Sequence, residues 1–284
     1  MADVPGLVFS GLSSGMVYVL IALGLTLVFS IMGVINFAHG EFYMAGAYIV
    51  YFFTVERGIN YWAAIPLAIV LVGLLGAAVD RGLLRRVGRE LIPTALITLG
   101  LTLILQVAAL YFFGAEFKAI PSPIPGVIRS TYLAIPKEEL GVIGISVALI
   151  LAILFLIYRT KLGRAMRAVT QDREAAALQG IDVENVSTMG FALGSGLAAI
   201  AGALMGAVFF LTPFMGQAPL IKALAIIVLG GMGSIPGAVA GGLIMGQVES
   251  FATFYINPQA GELAFFAIII LILLLRPRGL LGTA

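Results

Sequence analysis

Apolar runs follow one another along the chain at about 7–34, 42–55, 61–79, 92–113, 142–158, 187–211, 222–232, 237–256 and 262–275, with little sequence between them. A helical span of a bilayer needs about 20 such residues. A chain of 284 residues therefore holds about eight to ten spans and has almost nothing left for a water-soluble domain. Charged residues make up 11% of the chain, against about a quarter in soluble domains, so a soluble fold is excluded. The expected architecture is all-α: a polytopic membrane helix bundle forming one transmembrane domain over 1–284. Two runs, 42–55 and 222–232, are short. Non-helical backbone survives at membrane depth only where protein or a water-filled cavity shelters it, so these runs predict broken or re-entrant helices. The first run lacks a basic leader and extends to about Ile35, too long for a signal-peptide core, and is expected to remain as the first span.

Cations set the expected orientation. Arg81, Arg85, Arg86 and Arg89 lie in one connection, Arg159, Lys161, Arg164, Arg167 and Arg173 in another, and Arg276 and Arg278 close the chain. The positive-inside rule makes all three segments cytoplasmic and turns the proline-rich connection 114–141 outward. Nine crossings with the N-terminus outside satisfy this, and if one short run is re-entrant the count changes and the N-terminus falls on the other side. A net charge of +2 gives no reason to expect nucleic acid as a partner, and with no cysteine there is neither disulfide nor thiolate metal site. Glycines recur four apart inside the runs, as in Gly11 and Gly15, Gly190 and Gly194, and Gly242 and Gly246, a spacing that lets helix backbones approach closely.

The connection 159–186 opens basic, carries good helix formers from Ala165 to Gln179 and stops at Gly180, a suitable residue for the first position past a helix. Leu162, Met166 and Val169 form an apolar stripe that is expected to rest on the membrane domain or on another protein. Glu174, Ala175, Ala176 and Gly180 reproduce EAA, three residues and glycine, a pattern that resembles the start of the cytoplasmic coupling loop of bacterial ABC importer permeases. The continuation of that pattern to an isoleucine and a leucine-proline pair is missing at Thr188 to Leu193. Three further segments, NFAHGEFYMAGAY at 36–48, LGRAMRAVTQDREAAALQGID at 162–182 and KALAIIVLGGMGSIPGAVAGGLIMG at 222–246, together resemble the permeases of branched-chain amino acid ABC transporters, and the first resembles the H-type partner of the two sister permeases. The resemblance implies a coupling surface at Arg164, Arg167, Glu174, Ala175, Ala176 and Gly180. It also implies a second homologous permease, two ABC ATPase subunits that bind ATP and Mg while this chain binds no cofactor, an extracytoplasmic amino-acid-binding protein, and a place in the bacterial inner membrane.

Candidate residues for the translocation path or its gate fall in three places. Asn36, His39, Gly40, Glu41 and Gly46 follow a run too long for one straight span. Either the break exposes helix N–H groups to a substrate carboxylate, with Glu41 receiving its ammonium, or these groups cap and staple a helix interface; the structural reading is the leading one. Lys222 sits on an apolar segment and is expected to snorkel to an interface, with a polar cavity as the alternative. Beyond it Gly230, Gly231 and Gly233 predict a break or tight turn, placed either at the path or beside the ATPase contact. Glu249 shares a helical face with Gly242, Gly246 and Thr253, which should look inward.

With no GxxxxGK[ST], the chain has no phosphate cradle of its own, and its spans lack the repeated acidic groups of a proton relay. The leading functional reading is a non-enzymatic permease subunit that moves hydrophobic amino acids inward. The alternatives are an ion-coupled secondary transporter and an ABC permease for urea or short amides.

Overall fold

In a computed structural model the described residues are 4–88, 90–130, 133–276 and 279–281. Arg89 and Arg278, two of the orienting cations, lie outside them. The main helices are α1 (Val4–Met32), α2 (His39–Tyr51), α3 (Tyr61–Gly82), α4 (Leu91–Phe113), α5 (Lys137–Arg159), α8 (Val183–Gly206), α9 (Gln217–Gly230), α10 (Ile235–Tyr255) and α11 (Pro258–Leu275). Between α5 and α8 lie two short helices, α6 (Lys161–Gln171) and α7 (Arg173–Leu178). A small antiparallel hairpin, β1 (Val127–Ser130) and β2 (Leu133–Pro136), occupies the connection between α4 and α5.

Six of the helices, α1, α3, α4, α5, α8 and α11, are long and apolar enough to cross a membrane. Helix α10 has the length, at 21 residues, but its apolar character is diluted by glycine, Gln247 and Glu249. The two short runs account for the rest. Helix α2 starts after irregular backbone at 33–38 and is prolonged by a π-helical turn over Phe52–Glu56, so the first short run is a helix broken at its start and extended at its end. Helix α9 has only 14 residues and follows irregular backbone at 207–216.

Both irregular stretches have backbone groups satisfied by their neighbours, which is what lets them persist inside the bundle. The Phe37 N–H donates to Thr98 Oγ1 at 3.2 Å, and the Phe37 carbonyl accepts from Thr102 Oγ1 at 3.2 Å. Leu211 exchanges two backbone hydrogen bonds with Lys118, at 3.1 and 2.8 Å.

Contacts fix the directions. Helix α1 runs antiparallel to α10, Leu7 O accepting from Ser250 Oγ at 3.0 Å and Gly15 lying against Gly242 and Gly246. Helix α3 runs antiparallel to α8, joined by Tyr61 to Ala203 at 3.0 Å at one end and Thr188 to Asp80 at 2.5 Å at the other. Helices α2 and α4 are parallel, linked by Gln106 to Glu41 at 2.7 Å and by the stacked rings of Tyr48 and Phe113. Gly190 lies against Ile31 and Gly194 against Gly24, so α1 is antiparallel to α8 as well, and the described arginines and lysines of the connections after α3, α5 and α11 gather at one end, which the positive-inside rule makes cytoplasmic. The N-terminus of α1 lies at the other end.

The layers follow from burial. The most apolar stretches of α1 and α8 are 83% and 78% buried, whereas those of α4, α5 and α11 are 22%, 28% and 17% buried. Helices α1 and α8 are thus the centre of the bundle, and α4, α5 and α11 turn most of their leucines and isoleucines to lipid. Small residues make this centre possible. A Cβ at Gly46 would collide with the backbone of Ala199 in α8, and one at Gly246 would collide with the backbone of Gly15 and Gly11 in α1. Gly46→Val is therefore expected to cost upwards of about 1–3 kcal/mol through overpacking, read as a lower melting temperature of the detergent-purified protein. Gly100→Ala, on α4 with open space around it, is expected to be neutral or to stabilise by about 0.4–1 kcal/mol.

Candidate functional site

Helices α1, α9 and α10, with contributions from α2 and the end of α8, enclose a cavity of about 590 Å³, within the range of small-molecule sites at about 300–1,000 Å³. Its wall is mainly apolar, including Val17, Ile21, Met205, Met215 and Phe254, and three polar side chains meet in it. Lys222 Nζ lies 2.5 Å from Glu249 Oε1. Tyr18 OH donates to Glu249 Oε2 at 2.7 Å and accepts from Lys222 Nζ at 3.0 Å. The ammonium also sits 5.1 Å from the centroid of the Tyr18 ring and 5.5 Å from that of Phe265, close enough for favourable cation–π contacts.

Lys222 does not snorkel, which corrects the first expectation for it. Its side chain is only 12% exposed and that of Glu249 21% exposed. Two charges of opposite sign in a weakly polar interior each cost far less together than apart, so the pair forms across the helix interface instead of reaching for an outer boundary. The inward face predicted for Glu249 is observed: Gly242 and Gly246 pack on α1, and Thr253 lines the cavity. Tyr18 was missed in the sequence. A lone hydroxyl within a long apolar run carries no periodic signal, and only the fold reveals that it faces the pair.

The polar cluster after α1 lies elsewhere. Among the described residues, the cavity wall includes Ile21 and Tyr43 but not Asn36, His39, Gly40, Glu41 or Gly46. All five are buried at contacts between elements, Gly46 against Ala199 of α8. Asn36 Oδ1 accepts from the Ala38 N–H at 3.0 Å and shapes the turn into α2. His39 Nε2 lies 3.1 Å from the Ile21 carbonyl, so Nε2 carries the proton and donates it to α1. Glu41 Oε1 accepts from Gln106 on α4. Gly40 lies against the backbone of Gly216, just before α9. These residues staple α2 to α1, α4 and the start of α9, and the structure does not bring Glu41 to the cavity as a receptor for an ammonium.

The glycine turn is also outside the cavity wall. Gly230 ends α9, Gly231 and Gly233 have φ of 97° and 85°, and Ser234 caps α10 by accepting from the Gly237 N–H at 3.1 Å. The C-terminal strand of backbone closes on this turn, Leu280 N donating to Leu229 O at 2.7 Å and Leu281 N to Gly230 O at 3.1 Å. Of the two placements left open by the sequence, the turn adopts the one at the cytoplasmic end, where it borders a groove shared with α6.

The basic connection forms α6 and α7, not the single helix expected over Ala165 to Gln179. Asp172 leaves helical geometry, with φ −155° and ψ 111°, and accepts from the Ala175 N–H at 2.9 Å, so a competing N-cap ends one helix and starts the next. The stripe behaves as predicted, with Met166 and Val169 buried. Arg164 is exposed, whereas Arg167 turns back, donating to the Ile157 carbonyl at the end of α5 and lying over the Tyr158 ring. Gly180, at φ 80°, closes α7: its N–H donates to Ala177 O at 3.0 Å, and Ile181 N donates to Ala176 O at 3.1 Å, the hydrogen-bond pair of a Schellman ending. Ala176 faces inward; Glu174, Ala175 and Leu178 face outward, Leu178 being 86% exposed. Arg173 binds Glu184 at 2.8 Å, Arg85 lies 3.2 Å from Glu184 and donates to Thr188 at 2.7 Å, and buried Asp80 accepts from the same threonine. This network ties the base of the α6–α7 segment to α3 and α8.

The family described as "Branched-chain amino acid transport system / permease component" matches residues 7–274. The chain is 34% identical to the high-affinity branched-chain amino acid transport system permease protein BraD of Pseudomonas aeruginosa, covering 96% of this chain and 94% of that one. It is likewise 34% identical, with the same coverage, to the permease protein LivH of the corresponding system in Escherichia coli K12. To the LivM permease protein of that organism it is 26% identical over 94% of this chain and 68% of the relative. The solved structure of PsaBC from Streptococcus pneumoniae in complex with Fab matches 98% of this chain and 93% of that chain, at a TM-score of 0.52 and 15% identity, a likeness of fold.

The stapling role assigned to His39 has a direct check. His39→Ala removes a buried ring and its bond to the Ile21 carbonyl, and is expected to cost about 2–5 kcal/mol as a core truncation, with lost thermal stability and no change in the chemistry of the cavity wall.

Proposed function

As a member of the branched-chain amino acid transport permease family, this chain is, we propose, the H-type membrane subunit of an ATP-driven importer that carries branched-chain amino acids inward across the bacterial inner membrane. It is a multi-pass membrane permease and not an enzyme. In this reading its path is completed by a second, M-type permease. Two ATPase subunits, holding ATP and Mg, dock on its cytoplasmic end, and an extracytoplasmic binding protein delivers the substrate.

The observation that carries the reading is the α6–α7 segment. Its apolar stripe, Met166 and Val169, is anchored in the bundle, and its tip presents Glu174, Ala175 and Leu178 outward. An 86% exposed leucine beside two small residues and a carboxylate, held on a capped and Schellman-closed turn, is a preformed surface for another protein. Its place at the basic end of the bundle supports a cytoplasmic partner.

The chain reconstituted with its partner permease, ATPases and binding protein in vesicles should take up leucine only with ATP. Leu178→Asp and Glu174→Arg are expected to lower uptake at least tenfold with the melting temperature unchanged. Gly180→Val forces a branched side chain into left-handed backbone at a cost of about 1–2 kcal/mol and is expected to uncouple ATP hydrolysis from uptake. Uptake at the wild-type rate in all three variants would refute the coupling assignment. Because the natural chain has no cysteine, Leu178→Cys gives a single thiol, which an impermeant maleimide should reach only from the cytoplasmic side.

A further inference from the structure

We propose that Lys222 and Glu249 form an exchangeable zwitterion subsite: the empty protein closes its cavity with its own ion pair, and an α-amino acid opens that pair, its carboxylate taking Lys222 and its ammonium taking Glu249. The inference rests on the importer reading given above and names the part of the path that recognises the amino acid backbone.

The two charges lie on different helices, α9 and α10, and both border the cavity. No ligand chemistry fits a contiguous ammonium and carboxylate better than a molecule carrying one of each on a single carbon. Exchange leaves no charge unpaired: one protein–protein pair opens and two protein–ligand pairs form, so neither protein charge is left bare in a weakly polar site. Tyr18 supports the exchange as a positioning residue, because its hydroxyl bonds both partners from α1 and can keep each aligned while the direct contact opens. Val17, Ile21, Met205 and Met215 stand in the same wall as an apolar surface for a branched side chain.

Breaking an existing pair offsets most of what the new pairs contribute. The site therefore binds loosely, as a path that must also release its cargo requires. It is also selective. A carboxylate without an amine, or an amine without a carboxylate, opens the pair and leaves one protein charge uncompensated; urea and short amides, which are neutral, leave it closed.

The test uses the assembled complex of both permeases and both ATPases, without binding protein, and reads thermal stabilisation by millimolar ligand, which follows affinity. Leucine should raise the melting temperature of the wild-type complex, while 3-methylbutylamine and 4-methylpentanoate should bind at least tenfold more weakly. In Lys222→Met combined with Glu249→Gln, which removes both charges and leaves neither unpaired, the ligand-free melting temperature should stay near wild type and the leucine shift should vanish.

Equal leucine shifts in wild type and the double variant, or equal shifts from leucine and its one-charge analogues on the wild type, would overturn the subsite. The analogue series needs no variant, so it decides the matter even if the double variant does not fold. ATP-driven leucine uptake by the wild-type complex with binding protein is measured alongside. Its absence would sink the importer reading itself, whereas its presence without any leucine shift would sink only the subsite.

Discussion

Backbone-to-backbone approach at the centre of the bundle is the constraint on which everything else depends. In lipid, leucine gains nothing by leaving the bilayer for a helix interface, so helices associate through close packing and polar contacts. Here α1 meets α10 along Gly11, Gly15, Gly242 and Gly246, and meets α8 where Gly24 faces Gly194; α2 meets α8 at Gly46 and Gly202. These approaches pull α1, α8 and α10 into a bundle tight enough that the broken starts of α2 and α9 find donors and acceptors inside it. They also fix where space remains, since the 590 Å³ cavity opens beside the Gly246 contact where bulkier residues, Tyr18, Lys222 and Glu249, keep the helices apart.

The interior polar groups divide cleanly once that packing is known. His39 bonds the Ile21 carbonyl, Glu41 accepts from Gln106, and Asp80 accepts from Thr188, each joining two helices at a buried contact. Such groups hold the bundle in register. Lys222 and Glu249 differ because their contact borders open space and joins elements that begin or end irregularly, so separating them demands little of the core. A charge pair at a cavity is where an interior polar interaction can serve binding instead of architecture alone.

The all-helical membrane fold and the gathering of the described arginines at one end were legible because apolar length and charge asymmetry are local signals that the bilayer imposes directly. Gly180 was legible for a similar reason, since a left-handed helix end selects glycine from its immediate neighbours. The break at Asp172 was not, because helix propensity over 165–179 hides a side chain that caps from within. The meeting of Lys222 with Glu249 was not legible either: the two lie 27 residues apart on consecutive helices, and their contact depends on the antiparallel register of α9 and α10 across the turn at Gly231 and Gly233. Tyr18 had no local signal at all. What a sequence conceals here is register between helices, and the cavity is made of register.

That register also connects the two functional ends of the molecule. The α6–α7 segment leans on α5 through Arg167 and on the bundle through Met166 and Val169, while Arg173, Glu184, Arg85 and Asp80 fasten its base to α3 and α8. Across a groove of about 420 Å³ from α6 stands the turn over Gly233, Ser234 and Pro236. From this turn α9 and α10 rise as an antiparallel pair, carrying Lys222 and Glu249 at their far reach. Packed helices shift as units and not by continuous bending, so in the proposed importer a partner moving α6 against the turn would act on α9 and α10, the two helices that carry the ion pair. In the proposed importer the chemical step belongs to the partner, and this chain would contribute the exposed surface at Leu178, the turn at two left-handed glycines and the charge pair at the cavity.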